Sequence, residues 1–224
     1  CCVAYLRAAR VSIMTDVTGK TAAVTGSSGI GLGAALHLAR SGARVFLAGI
    51  DAGLNNEAAA LAAGEGLDMT LHQVDVADED SVRSWAGQIA GETDVLHALV
   101  NAAGQQTYGT VEDTGPADWD HCIAVNLRSF YLTSHLLYPL LKMAGGASVV
   151  HVASVQGHNN QNNVLAYATS KGAVHAMTRA MAVDCARDGI RVNSISPGSI
   201  RTPLLEYGAG QLATGGKTID DMIA

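Results

Sequence analysis

The sequence predicts an α/β protein built around one doubly wound parallel sheet. Short apolar runs of strand type alternate along the chain with longer segments of helical periodicity. A glycine-rich turn joins the first of these runs to the first helical segment. This alternation is typical of right-handed strand–helix–strand units, which place parallel strands side by side with helices on both faces of the sheet.

The predicted strands are short and separated by helical patterns. They span Thr21 to Thr25, Arg44 to Ala48, Thr70 to Val74, Ala98 to Asn101, Ser148 to Ala153 and Arg191 to Ser196. Two long helices are predicted over roughly 118–143 and 166–188. Ligands of such sheets bind beyond the carboxyl ends of the strands, so the residues that follow each strand are the candidates for a binding site.

Composition limits the classes of function. The 224 residues suffice for one domain with a large core, and 48% of them are hydrophobic. No apolar run approaches the roughly 18 to 20 residues of a membrane span. The net charge of −6 argues against nucleic acid or an anionic membrane as partner, which leaves a small molecule. The four cysteines lack zinc-type spacing, so we expect no metal, reduced thiols and a cytoplasmic location.

The glycine-rich turn follows the first strand directly. It comprises Gly26, Ser27, Ser28, Gly29, Ile30 and Gly31, and a helical pattern begins within it. A strand, a glycine turn and a helix start in this order place backbone N–H groups and the positive end of a helix dipole against a pyrophosphate. The alternative is a tight turn that needs glycine only for its backbone angles.

A second candidate site lies later in the chain. Tyr167 and Lys171 are four residues apart, so they share one helix face, where an ammonium can stabilise a phenolate. Ser154 ends a predicted strand thirteen residues before the tyrosine. The arrangement predicts a proton-transfer site, whereas Tyr167 and Lys171 alone could be an exposed helix face.

Taken together, these motifs resemble the classical short-chain dehydrogenase/reductase family from about Gly19 to Leu204. The matching pieces are the 25–31 loop, Asp75-Val76, Asn101 to Gly104, Asn126, Ser154, Tyr167 with Lys171, Arg191 to Asn193, and Pro197-Gly198 with Thr202. The resemblance implies a Rossmann fold. It also implies an NAD(P)-dependent oxidoreductase that moves a hydride between nicotinamide and an alcohol or carbonyl group.

The resemblance assigns four catalytic roles. Tyr167 would be the general acid or base. An adjacent ammonium, together with the cationic nicotinamide of the oxidised complex, should lower its pKa by roughly 1 to 3 units from about 10. Lys171 would also hold the ribose hydroxyls, and Ser154 would hydrogen-bond the reacting oxygen. Asn126 would fix a water that links Lys171 to solvent, the alternative being an amide that bonds locally.

Cofactor contacts are implied in the same way. Asp75 would bind the adenine amino group with the Val76 backbone beside it, and Ile200 and Thr202 would meet the nicotinamide carboxamide. The remaining implied contacts are the 26–31 loop, Asn101, Ala103, Gly104, Tyr167, Lys171, Pro197 and Gly198. The chain departs from the family pattern twice, because the glycine loop is one residue short and Ala102 stands where a second asparagine is usual.

The residues after the second strand bear on the choice between NAD and NADP. The acid expected just past the second strand of NAD enzymes is replaced by Gly49, with Ile50 and Asp51 after it. No basic residue lies in the glycine loop or in 49–51, and Asp51 would repel a 2′-phosphate. We therefore favour NAD and keep NADP open.

The substrate is expected to be polar. Residues 156–163 are rich in amides, and Gln105 and Gln106 follow the Asn101 motif from the other side of the cleft. Such side chains suit a sugar or polyol, the alternative being a solvated loop, and substrate contact by His158 is left open. The alternative function is a nucleotide-binding or scaffold protein with the same fold and little activity.

Both ends of the chain bear on the predicted organisation. Residues 1–13 precede Met14 and are interpreted as an extension, and residues 14–224 as one domain that lacks the last helix and seventh strand of the family. The second of the two long predicted helices, over 166–188, carries small residues that permit close approach. We expect a homo-oligomer, and a dimer if the chain ends at Ala224.

Overall fold

The structure is a computed structural model that describes residues 16–203. Its strands are β1 (Thr21–Thr25), β2 (Arg44–Gly49), β3 (Met69–Gln73), β4 (Ala98–Asn101), β5 (Ser148–Val152) and β6 (Arg191–Ile195). They form one parallel sheet in the order β3-β2-β1-β4-β5-β6. The predicted doubly wound sheet is confirmed, and each predicted strand boundary agrees within one residue. The predicted extension at 1–13 and the predicted loss of a last helix and seventh strand lie outside the described residues.

Helices connect successive strands. They are α1 (Gly29–Arg40), α2 (Ala52–Gly64), α3 (Glu79–Glu92), α4 (Pro116–Ile123), α5 (Ser129–Met143) and α6 (Leu165–Cys185). The prediction of one uninterrupted helix near 118–143 is wrong in detail, because a π-helical turn at Ala124–Arg128 separates α4 from α5. Such turns often mark functional positions, and this one contains Asn126.

Apolar layers on both faces hold the sheet rigid. On one face, alanines such as Ala35 and Ala58 let α1 and α2 lie close to β1 and β2. On the other face, Trp85 of α3 and Leu137 of α5 pack against Phe46 and the neighbouring strands. Each of these large side chains is fully buried, which is worth about 1.5–3 kcal/mol apiece. The packed sheet therefore fixes the positions at which the loops after the strands begin.

No helix in the described part of the chain is long and apolar enough to cross a membrane.

Candidate active site

A cavity of about 650 Å³ opens at the carboxyl ends of the strands. This volume is within the range of ordinary ligand sites. The sequence-predicted residues that line it are Gly26, Ser27, Ser28, Gly29, Ile30, Asp51, Asp75, Val76, Ala103, Gly104, Ser154, Tyr167, Lys171, Pro197, Gly198, Ile200 and Thr202. The fold thus brings together loops that are up to about 170 residues apart in sequence.

The shortened glycine loop keeps the geometry of an anion site. Gly26 and Gly29 adopt positive φ angles of 97° and 53°, which favour glycine. A Cβ on Gly31 would lie 2.1 Å from the Gly26 carbonyl oxygen, so only glycine lets α1 start this close to the loop. Ser28 makes no side-chain capping bond and the first turn of α1 has no acidic residue. The positive end of this helix is therefore available to phosphate.

The loop lies directly on the end of β2. A Cβ on Gly49 would lie 1.9 Å from Ser27 Oγ and 2.3 Å from Asn55 Oδ1. Asn55 Nδ2 donates to the Gly49 carbonyl at 2.9 Å, while its Oδ1 is buried without a hydrogen-bond partner. Ser27 and Asn55 thus occupy the space of a side chain at position 49. Sequence analysis missed Asn55, because nothing in the α2 pattern distinguishes it from its neighbour Asn56.

Two carboxylates line the cavity near β2 and β3. Asp51 Oδ1 accepts a hydrogen bond from Leu54 N at 2.9 Å and so caps α2. Asp75 Oδ1 accepts from Ala77 N at 2.9 Å and shapes the turn before α3. Both side chains therefore serve local structure while they border the cavity.

Three predicted site residues do not line the cavity. Asn101 is fully buried, and its Oδ1 accepts from Thr133 Oγ1 at 2.7 Å while its Nδ2 donates to Ser134 Oγ at 3.3 Å. Asn101 was predicted to line the adenosine side of the cleft, whereas its amide ties β4 to α5. Gly31 lies against the Gly26 carbonyl. Asn126 is the third.

Asn126 anchors the loop after β4. Its Oδ1 accepts from Gln105 N at 2.8 Å and its Nδ2 donates to Gln105 O at 2.9 Å. The same Nδ2 lies 3.2 Å from Ser170 Oγ and 3.4 Å from Cys122 Sγ. The amide is fully buried, which favours the local-bonding alternative, and the predicted water relay stays a prediction.

Three residues of the predicted proton-transfer site line the same cavity. Tyr167 and Lys171 lie on the buried face of α6, and Ser154 follows β5. Lys171 Nζ donates to the Val152 carbonyl at 2.9 Å and lies 5.7 Å from the centroid of the Tyr167 ring. Ser154 Oγ accepts from Gln156 N at 3.1 Å, which orients the hydroxyl at the strand end.

Burial dominates the titration of this pair. Desolvation lowers the pKa of Lys171 to about 8. Desolvation also raises the pKa of Tyr167, and the hydrogen bond with Ser154 offsets part of this increase. The predicted lowering of the pKa of Tyr167 combines the ammonium with the cationic nicotinamide of the oxidised complex, so it stays a prediction.

Further residues line the cavity on the side of Tyr167. Sequence analysis missed Tyr108 and His121, which come from the loop after β4 and from α4. No local pattern set them apart, since only the packing of α4 against α6 brings them to the site. His158, left open as a substrate contact, is absent from the cavity lining and stacks on His175 with ring centroids 4.2 Å apart.

Only some of the amide side chains predicted to contact the substrate line the cavity. Those that line the cavity are Gln105, Gln106, Gln156, Asn159, Asn160 and Gln161, whereas Asn162 and Asn163 do not.

Known proteins share both the sequence and the fold. The family model described as enoyl-(acyl carrier protein) reductase matches residues 24–220. Cyclopentanol dehydrogenase of Comamonas testosteroni is 37% identical over 194 residues, which cover 86% of this chain and 78% of that protein. D-beta-hydroxybutyrate dehydrogenase of Cupriavidus necator is 35% identical, with 85% and 74% covered.

A solved structure agrees with these relatives. A Beutenbergia cavernae protein, provisionally described as an NAD(P)-dependent gluconate 5-dehydrogenase and solved with bound NADP at low occupancy, superposes with a TM-score of 0.81. It is 32% identical, and the match covers 87% of this chain and 78% of that one. From the sheet order, the converging site and these matches, the chain belongs to the short-chain dehydrogenase/reductase family.

Proposed function

We propose that this chain oxidises a small polar alcohol, or reduces the matching carbonyl compound, with Tyr167 as the proton-transferring residue. The observation that carries the proposal is the convergence of Ser154, Tyr167 and Lys171 in the same cavity as the glycine loop. Relatives whose names specify cyclopentanol and hydroxybutyrate as substrates support the same reaction class. A small alcohol can reach both the phenol and a dinucleotide in such a cavity.

The residues present fit a nicotinamide dinucleotide. The start of α1 suits the pyrophosphate, and the glycine at 104 keeps backbone close to Lys171, where a Cβ would lie 3.5 Å from Nζ. The bound cofactor would supply the hydride donor or acceptor.

Each side chain then has a proton or binding task. Ser154 would hydrogen-bond the reacting oxygen and hold it beside the phenol. Tyr167 would take the hydroxyl proton during oxidation and return it during reduction. Lys171 would bind ribose hydroxyls and favour the phenolate that forms transiently. Asn126 would keep the backbone of Gln105 in place at the cavity wall.

NAD is the proposed cofactor in preference to NADP. Asp51 borders the cavity after β2, and no lysine or arginine lies in 26–31 or 49–51 to pair with a 2′-phosphate. Initial-rate measurements with both dinucleotides test this choice. A lower KM for NADP than for NAD would contradict it.

We further propose a cytoplasmic homo-oligomer. Cys122 and Cys185 are free thiols, which suits a reducing compartment. The exposed faces of α5 and α6 carry the apolar side chains Tyr131 and Val183, which an interface between copies would cover.

Substitution of Tyr167 tests the proposed function. Tyr167→Phe removes the transferable proton at nearly constant volume, so we expect kcat to fall about 10²- to 10⁴-fold with dinucleotide binding retained. Tyr131→Phe, on the exposed face of α5, is the matched control and should keep full activity. Retention of more than half the activity in Tyr167→Phe would exclude this role. Dinucleotide binding without turnover of any alcohol by the unaltered protein would support the scaffold alternative.

A further inference from the structure

The two halves of the cavity differ in charge. Asp51 and Asp75 are the carboxylates among its lining residues, and both follow the strands at the glycine-loop half. The basic side chains among the lining residues are Lys171 and His121. Within the described part of the chain, no carboxylate lines the half that contains Tyr167. This half therefore disfavours a cationic substrate and favours an anionic one.

His121 lies on the Tyr167 side of the cavity. It occupies the last turn of α4, and the next residue, Cys122, packs in one apolar cluster with Tyr167. Trp119 and Tyr108 pack against the same cluster. His121 thus lines the cavity from a helix whose next residue packs in the cluster that contains Tyr167. An imidazole N–H can donate to a carboxylate whether or not the ring is protonated.

Amide side chains line the same cavity as His121. Those that line the cavity are Gln105, Gln106, Gln156, Asn159, Asn160 and Gln161. None of these side chains hydrogen-bonds to another described residue. Gln106 Nε2 and Gln156 Oε1 are moreover buried without partners. Such orphaned amides are costly, so this wall suits a ligand that brings several oxygen atoms.

We propose that the substrate is a hydroxy acid whose carboxylate binds His121. The hydroxyl to be oxidised would lie at Ser154 and Tyr167, and the amides would hydrogen-bond the remaining oxygens. This inference rests on the proposed function and adds the chemical class of the substrate. His121 is then the residue that selects an acid over a neutral alcohol.

Matched substrates test the charge requirement. Three acids, 3-hydroxybutyrate, gluconate and 4-hydroxycyclohexanecarboxylate, are compared with their neutral carboxamides and with cyclopentanol. We expect kcat/KM for the acid to exceed that for its amide by about 10-fold or more in the pair that is turned over, mainly through KM. Neutral members that equal or surpass the acids would overturn the inference.

Substitution of the imidazole tests the residue. His121→Gln keeps a hydrogen-bonding side chain without a cationic form, and we expect the acid and its amide to become similar substrates. His37→Gln on the exposed face of α1 is the control and should keep the acid preference. An unchanged preference in His121→Gln would overturn the role of this residue.

Failure of the inference differs from failure of the proposed function. Turnover of cyclopentanol without an acid preference overturns the substrate class alone. A folded protein that turns over none of these compounds overturns both.

Discussion

At the residue scale, burial shifts the pKa values of two titratable side chains that line the cavity. Tyr167 is 7% exposed and Lys171 4%, and desolvation opposes a charge on either side chain. The phenol is therefore held in its protonated form, which is ready to act as an acid. Oxidation of an alcohol needs the opposite form, so the two directions of the reaction should respond to pH in opposite ways.

The first residue-scale prediction is a pH profile. Because the pKa of Tyr167 is raised above its ordinary value, we expect kcat/KM for oxidation to rise with pH between about 7 and 8, where Lys171, with a pKa of about 8, still carries its charge. Reduction should be favoured at the lower end. Ser154→Ala removes the hydrogen bond that lowers this pKa, so any residual activity should rise at still higher pH. An oxidation rate that falls with pH would contradict the assignment.

The second residue-scale prediction concerns acid stability. His151 is fully buried between Phe130 and Thr178, and burial lowers its pKa from 6.5 to about 4. Below pH 6.5 the unfolded chain binds the proton more readily than the folded protein, so stability falls as the pH drops towards about 4. The loss approaches about 1.4 kcal/mol per pH unit, or roughly 3 kcal/mol in total.

Denaturant unfolding at several pH values measures this loss. His151→Val should show a weaker decline between pH 6.5 and 4 than the unaltered protein, because the titrating imidazole is gone. Equal slopes in the two proteins would exclude His151 as the source.

At the element scale, the glycine loop and the end of β2 act as one unit. The Gly26 N–H donates to the Ala48 carbonyl at 2.7 Å, and Ser27 lies over Gly49. A Cβ at position 49 would also lie 2.5 Å from Ser27 Cβ, which moves only with the loop backbone. The absence of a side chain at 49 is therefore a consequence of how the short loop packs.

This packing predicts an unusual response to substitution. Gly49→Asp would introduce the acid typical of NAD enzymes, yet we expect it to weaken NAD binding by about tenfold or more because it displaces the loop. Gly64→Ala, in α2 with open space around it, is the control and should bind normally. Calorimetric titration with NAD measures both.

A second substitution keeps this prediction testable. Ser27→Gly combined with Gly49→Ala removes two of the three atoms that a Cβ at position 49 would meet and leaves Asn55 Oδ1, so it should bind NAD better than Gly49→Ala alone. Tighter NAD binding by Gly49→Asp would refute the steric account.

At the scale of the whole molecule, the proposed self-association would use the outer faces of α5 and α6. Ala176, Ala180 and Val183 share the exposed side of α6, and Val183 is 78% exposed. Met177 and Met181 of the same helix pack partly buried against the core clusters. Small residues on the outer face still permit the close approach of a second copy.

The corresponding prediction is a homodimer of the 224-residue chain. Light scattering after size-exclusion chromatography should give the mass of two copies. Val183→Lys should shift the protein towards monomer, because it adds a charge to the apolar face. Val111→Lys, on an exposed loop, is the matched control and should leave the dimer intact. A stable monomer of the unaltered chain would exclude the helix interface.

The sequence by itself predicted the strands, the need for glycine in the turn after β1, and the shared helix face of Tyr167 and Lys171. These features depend on neighbours within a few residues. Strands and helices follow from side-chain periods of two and 3.6 residues, the glycine turn follows from a positive φ, and residues four apart share a helix face. Strand boundaries were therefore predicted within one residue. The family motifs extended this reach to Asp75 and Pro197, which follow their strands into the cavity.

Only the tertiary structure decided which polar side chains face the ligand and which brace the fold. Asn101 lies behind the cavity because its amide hydrogen-bonds to Thr133 and Ser134, which are more than thirty residues away in sequence. His121 lies in the cavity because α4 packs against α6. Burial of Tyr167, which raises its pKa, is likewise set by the packing around α6. Desolvation and hydrogen bonding of these side chains are set by groups distant in sequence. A local sequence pattern therefore does not predict them.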